Sequence, residues 1–135
     1  MNSRHTIERQ VFLADTDATG FVYYSRYLEW MEAARVEMLH GLGFTIAHLA
    51  DQGLVPVVRQ VSCKFGAPLR LGEFVQIICA LGLATKTALN LEYAFVRVQD
   101  AADAGSGSVQ VVFLEKRSGR PVRVPTELAS ALVSA

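Results

Sequence analysis

The stretch SRYLEWMEAARVEMLHGLG, residues 25–43, sets the architecture of this 135-residue chain. Tyr27, Leu28, Met31, Ala34, Met38 and Leu42 recur at three- and four-residue spacing and form one apolar stripe, with Arg26, Glu29, Glu37 and His40 mainly on the opposite face. Ser25 reads as the N-cap and Gly41 and Gly43 as the stop, which predicts one helix of about 16 to 18 residues. Upstream, residues 4–14 alternate, with Ile7, Val11 and Leu13 among polar neighbours, and read as a first strand. Downstream, a short helical patch at 45–52 precedes β-branched or alternating runs at 54–65, 74–83 and 86–99. DAADAGSGS, residues 100–108, reads as a flexible hairpin loop before a last strand at 108–116, and a short helix is expected after Pro125.

A strand, one long helix and four further strands specify an α+β domain in two layers, a helix against a five-stranded antiparallel sheet. Nothing alternates βαβα. One helix covers only part of such a sheet, so a second subunit is expected over the remaining face or edge. The length fits a single domain over residues 1–135.

Apolar residues make up 51% and charged residues 19%, a globular balance that excludes a largely disordered chain. Thirteen basic residues cancel thirteen acidic ones, so no global field grips nucleic acid. No apolar run approaches the ~18 residues of a membrane-spanning helix, and the start MNSRHTIERQVFLAD has no signal-peptide pattern. Cys63 and Cys79 fit no zinc spacing and read as free thiols, and Cys63 has no histidine partner that would make it a nucleophile. The expected compartment is the cytoplasm.

The common catalytic motifs HExxH, GxSxG, GxxxxGK[ST] and GxGxxG do not occur, and the three histidines lie on different elements. Chemistry is therefore sought in DTDATGFVYY, residues 15–24. Three readings suit it. Asp15, Thr16, Asp17 and Gly20 can build a plain turn, with Gly20 supplying an unusual φ. Asp15 and Asp17 can form a D-x-D site for a divalent ion or a phosphate. Or a loop carboxylate can face a helix N-terminus, where backbone N–H groups polarise a carbonyl while the carboxylate attacks it or activates water.

DTDATGFVYYSRYLEWMEAAR resembles the D-x-D-x-x-G-x-V-[YW]-[YH]-x-x-Y signature of hotdog-fold thioesterases, in the 4-hydroxybenzoyl-CoA and Tol-Pal-associated acyl-CoA thioesterase group. The match holds at Asp15, Asp17, Gly20, Val22, Tyr23, Tyr24 and Tyr27 and continues to Glu32, Ala34 and Arg35. VVRQVSCKFGAPLRLGE resembles the strand and turn after that group's helix, at Val58, Arg59, Pro68, Arg70 and Leu71. The likeness covers about residues 5 to 125.

The resemblance implies a hotdog fold, a five-stranded antiparallel sheet wrapped around one long helix. It implies hydrolysis of a short- or medium-chain or aromatic acyl-CoA thioester, with no metal and no cofactor beyond the CoA of the substrate. A carrier-protein thioesterase and a non-catalytic acyl-CoA-binding protein are the alternatives. Asp17 is implied as nucleophile or general base, the Tyr24 amide as the group that polarises the carbonyl, and Gly20 as the residue that tightens the loop. The branch that carries its acid on the helix fits less well, because Asp17 stands in the loop position. Tyr27, Glu32, Arg59, Lys86 and Thr87 are the implied substrate contacts, the last two against the nucleotide, with Lys64 and Arg70 as further cations. Members are dimers or dimers of dimers with sites at the subunit interface, and a homotetramer is expected.

Overall fold

The computed structural model describes residues 2–134. The elements are β1 (Arg4–Gln10), a 3-10 turn (Leu13–Asp15), α1 (Tyr24–Gly41), α2 (Ile46–Asp51), β2 (Leu54–Phe65), β3 (Phe74–Ala84), β4 (Ala88–Arg97), β5 (Ala102–Glu115), β6 (Pro121–Val122) and α3 (Thr126–Ser134). The long strands form one antiparallel sheet in the order β1-β3-β4-β5-β2, and β6 adds a two-residue pairing to β5. The sixth strand was not foreseen. Its two residues give a pattern too short to read.

α1 lies against the sheet through Tyr27, Trp30, Met31, Ala34, Met38 and Leu39. Opposite them, Leu89, Leu91, Tyr93 and Phe95 alternate inward along β4, each no more than 4% exposed. Leu28, expected in the buried stripe, is 39% exposed, and Trp30 and Leu39 hold the inner face with the others. The helix begins two residues earlier than expected. Its N-cap is Tyr23, which makes no side-chain capping bond, and Ser25 lies inside the first turn.

Two boundaries differ from the sequence reading for physical reasons. The first strand stops at Gln10, because Val11 bonds the β2–β3 connection (its N–H to the Glu73 carbonyl, its carbonyl to the Gly72 N–H) and the chain then makes the 3-10 turn. Leu13, expected inward, is 76% exposed on that turn. The supposed loop 100–108 belongs mostly to β5, which starts at Ala102. Its glycines serve close approach: a Cβ on Gly107 would stand 2.8 Å from the Met31 methyl and 2.9 Å from the Ser62 carbonyl oxygen.

The two sheet edges differ. β1 carries Arg4, His5, Glu8 and Arg9 on one edge, charges that discourage pairing. β2, the other edge, exposes Val58, Val61 and Phe65, with a register shift around Arg59. β3 crosses the sheet from the end near the β1–α1 loop to the turn before β4. Its eleven residues span about 33 Å at ~3.3 Å each.

Candidate active site

Residues 15–23 form a tight loop that the fold holds at both ends. Val22 donates its N–H to the Leu69 carbonyl at 3.0 Å, and isolated bridges join Thr16 to Val22 and Phe21 to Arg70. The Arg70 guanidinium also covers the Phe21 ring, 5.1 Å from its centre. Gly20 sits at φ +82°, the left-handed region where a side chain is strained, and donates to the Asp17 carbonyl at 3.0 Å.

The two aspartates of the motif have different environments. Asp15 is mostly buried and both carboxylate oxygens are engaged: Oδ1 pairs with Arg26 Nε at 3.0 Å, and Oδ2 accepts the Phe12 N–H at 2.8 Å. Its carbonyl accepts the Tyr23 N–H at 2.8 Å. Arg26 also bonds the Ala14 carbonyl and Glu29, so it ties the loop to the first turn of α1. Asp17 is exposed and has no ion pair among the described residues. It accepts the Thr19 N–H at 2.8 Å and the Thr19 hydroxyl, and these bonds hold its carboxyl below the usual carboxylate range. With Asp15 committed to Arg26 and Phe12, the loop does not present a bridging D-x-D pair.

The helix start supplies donors. Among the described residues, the Tyr24 and Ser25 N–H groups donate to no protein acceptor, as expected for the first turn of a helix. They are positively polarised by the helix dipole. The Tyr23 and Tyr24 rings lie 4.7 Å apart, exposed, and the Tyr23 phenol is pushed up by its bond with Tyr24 and also by the charge of Asp17. Asp17, Gly20 and Tyr24 thus belong to one loop–helix junction.

The other expected contacts are dispersed. Tyr27 is 5% exposed, in edge-to-face contact with Trp30, Phe65 and Phe95, and burial pushes its phenol up to about 12. Glu32 lines a groove of about 280 Å³ between α1 and β2, with Leu28, Met31, Arg35, Val58, Val61 and Val109. Arg59 is exposed at the register shift of β2. Lys86 and Thr87 sit in the β3–β4 turn, which Thr85 Oγ1 closes by accepting the Ala88 N–H at 3.0 Å. That turn lies at the far end of β3 from Asp17. Beside it is a cleft of about 580 Å³ whose lining includes Lys86, Arg123, Thr126 and Ser130.

Arg26, Thr19 and Arg123 were missed by the sequence reading. Thr19, two residues after Asp17, was locally readable as an Asx-type turn, whereas the other two depend on tertiary placement. Cys63 and Cys79 are free, and burial pushes the Cys79 thiol up to about 11. Among the described residues, no three His, Cys, Asp or Glu side chains converge on a point that could hold a metal ion, and no helix is long and apolar enough to cross a membrane.

Residues 11–132 match the model of the thioesterase-like superfamily. The chain is 27% identical over 121 residues to the acyl-CoA thioester hydrolase YbgC of Escherichia coli O6:H1, with 90% of each chain covered. A shorter match, 35% identical over 66 residues, is to the putative acyl-CoA thioesterase YneP of Bacillus subtilis, covering 49% of this chain and 48% of that one. Among solved structures, the BH1999 gentisyl-coenzyme A thioesterase superposes with a TM-score of 0.85 at 26% identity, over 95% of this chain and 99% of the other.

Proposed function

The chain belongs to the thioesterase-like superfamily and has the hotdog fold, and on that premise we propose that it hydrolyses an acyl-CoA thioester to a free acid and coenzyme A. The observation that carries this reading is the α1 junction, where Asp17, a carboxylate with no ion pair among the described residues, shares a tight loop with the Tyr24 and Ser25 N–H groups, which have no protein acceptor among those residues. The thioester carbonyl oxygen accepts the Tyr24 N–H, and the helix dipole stabilises the negative charge that develops there. Asp17 then attacks the carbonyl carbon or takes a proton from an attacking water. The C–S bond breaks, the electron pair leaves on the CoA sulfur, and water supplies the new acid oxygen. This chemistry draws on no metal or cofactor beyond CoA itself.

The α1–β2 groove suits the acyl group. Its space of about 280 Å³ is lined mainly by apolar side chains, Leu28, Met31, Val58, Val61 and Val109. That suits short- and medium-chain or aromatic acyl groups, with Glu32 on the wall.

The separation of Lys86 from Asp17 argues for a homo-oligomer. Within one protomer the two lie at opposite ends of β3. If two copies of β2 pair antiparallel through their free edges, the Phe65 end of one protomer lies beside the Leu54 end of the other, which is the Lys86 end. The CoA phosphates then reach a basic cleft lined by Lys86 and Arg123, with Thr87 next to Lys86 in the same turn, on the second subunit, and Arg59 at the seam. A dimer, or a dimer of such dimers, completes the site. Free Cys63 and Cys79 fit a reducing cytoplasm.

The test is a panel from acetyl-CoA to palmitoyl-CoA, plus benzoyl- and 4-hydroxybenzoyl-CoA, with chelator and a thiol-trapping dye. Chelator-resistant thiol release, strongest with short- or medium-chain or aromatic acyl groups, is expected. A folded protein that releases thiol from none of them contradicts the proposal.

A further inference from the structure

Apart from Glu32 and Arg35, the groove between α1 and β2 is lined by apolar side chains alone. Its α1 residues run away from the Asp17–Tyr24 junction, with Leu28 first and Arg35 last. Glu32 is exposed and meets water, whereas Arg35 is half-buried. No ion pair joins them, and Arg35 has no ion-pair partner among the described residues. The Arg35 charge reaches the Tyr93 phenol and the Cys79 thiol, which are both buried and neutral. Those groups can accept its N–H donors but carry no counter-charge. A half-buried guanidinium without a counter-ion is costly, so an occupant of the groove that brings an anion to Arg35 is favoured.

The length of that occupant follows from the helix. Arg35 lies beyond Tyr24 on α1 by about 16 Å along the axis, at ~1.5 Å per residue. Helical side chains lean over the preceding turn, ~5.4 Å toward the N-terminus, which sets the guanidinium about 11 Å from the Tyr24 N–H. A hydrogen bond of about 2.9 Å at each end leaves roughly 5 Å between a thioester oxygen at Tyr24 and an acceptor at Arg35. A succinyl, glutaryl or adipyl group spans that distance. A long fatty chain exceeds it.

We infer that Arg35 selects acyl groups that end in a carboxylate, so that short dicarboxylic acyl-CoA thioesters are the preferred substrates. The distal carboxylate accepts N–H groups of the Arg35 guanidinium, while the methylenes lie against Val58 and Val61. The thioester oxygen stays at the Tyr24 N–H. Glu32, one turn nearer the junction, opposes the anion only weakly, because it is exposed and screened by water. The inference rests on the acyl-CoA reading of the site and adds the chemistry of the far end of the acyl group.

The test pairs succinyl-, glutaryl- and adipyl-CoA with butyryl-, pentanoyl- and hexanoyl-CoA, equal in chain length but ending in a methyl group. After correction for spontaneous hydrolysis, wild type is expected to favour the carboxylate-ended member of its best pair by at least about tenfold in kcat/KM, the low end for a bond to a charged group. Arg35→Gln should bring that ratio close to one, whereas a loss of packing alone lowers both members alike. Arg35→Lys keeps the charge and should retain part of the preference. Circular dichroism checks folding, because Arg35 reaches buried groups. Should Arg35→Gln not fold, Glu32→Gln leaves Arg35 in place and should raise the ratio by removing the nearby acid. Calorimetry with the non-hydrolysable thioethers S-carboxypropyl-CoA and S-butyl-CoA reads binding without turnover. A wild-type enzyme that prefers the methyl-ended members, or a ratio that Arg35→Gln leaves unchanged, overturns the inference and leaves the thioesterase reading standing. Tighter binding of S-carboxypropyl-CoA that is lost in Arg35→Gln, with no thiol released from any thioester, would uphold the role of Arg35 and refute the thioesterase reading.

Discussion

Replacing Asp15 by alanine removes two bonds at once, the 3.0 Å pair with Arg26 and the 2.8 Å bond from the Phe12 N–H. Bonds to a charged group contribute about 1.5–3 kcal/mol each. The Asp15 side chain is 14% exposed but its partner Arg26 is 32% exposed, and solvent screening pulls the pair toward the low end. Arg26 also keeps the Ala14 carbonyl and Glu29, and the freed Phe12 N–H can meet water. A net loss of about 2 kcal/mol follows. With ~2.1 cal/mol/K of unfolding entropy per residue, 135 residues give about 0.28 kcal/mol/K, so Tm should fall by roughly 7 °C. Asp15→Asn keeps an acceptor for Phe12 and should cost about half as much. Asp17 is exposed and, among the described residues, its side chain bonds only Thr19, so Asp17→Asn should leave Tm within about 1 °C on the same scale. Thermal denaturation followed by circular dichroism measures all three. An Asp15→Ala protein that melts with wild type, or an Asp17→Asn protein that melts as early as Asp15→Ala, would refute this division of labour between the two acids.

Gly107→Ala should cost about 1–3 kcal/mol by overpacking, because the new methyl meets the Ser62 backbone oxygen and not merely the flexible end of Met31; urea denaturation measures it. Thr19→Ala removes the bond that most lowers the Asp17 carboxyl. Asp17 acts deprotonated, so activity is present above its pKa and lost as pH falls through it. The acidic limb of the kcat/KM profile should therefore move to higher pH, with the rate near neutrality retained. Lys86→Ala and Arg123→Ala should raise KM for acyl-CoA but not for the matching N-acetylcysteamine thioester, which has no phosphates to hold. An equal rise for both would remove the cleft from CoA binding.

Elements defined by local pattern were readable from the sequence. The α1 stripe, the β2 run and the inward alternation of Leu89, Leu91, Tyr93 and Phe95 rest on residues within one turn or one strand, and, Leu28 excepted, they lie where the pattern puts them. The start of β5 was not readable, because Gly105 and Gly107 look alike whether they loosen a loop or let two backbones approach. Only the positions of Lys64, Ser62 and Met31 decide between those uses. The motif marked both acids of the loop, but not the split between them, with Asp15 tied to Arg26 and Phe12 and Asp17 exposed. That division depends on Arg26, eleven residues beyond Asp15, which the helical pattern assigned merely to the polar face. Lys86 likewise sits on a turn that sequence could place, but its distance from Asp17 follows from the length of β3 and the order of the strands.

The central claim is that the Asp17 carboxylate performs the chemistry and is not merely part of the fold. The most direct measurement is turnover by Asp17→Asn on the best acyl-CoA, together with calorimetric binding of CoA to the same protein. Loss of kcat by about 10²–10⁴-fold, with CoA affinity and Tm retained, is the predicted result. Turnover within a few-fold of wild type, or loss of activity only together with loss of the folded protein, would contradict it.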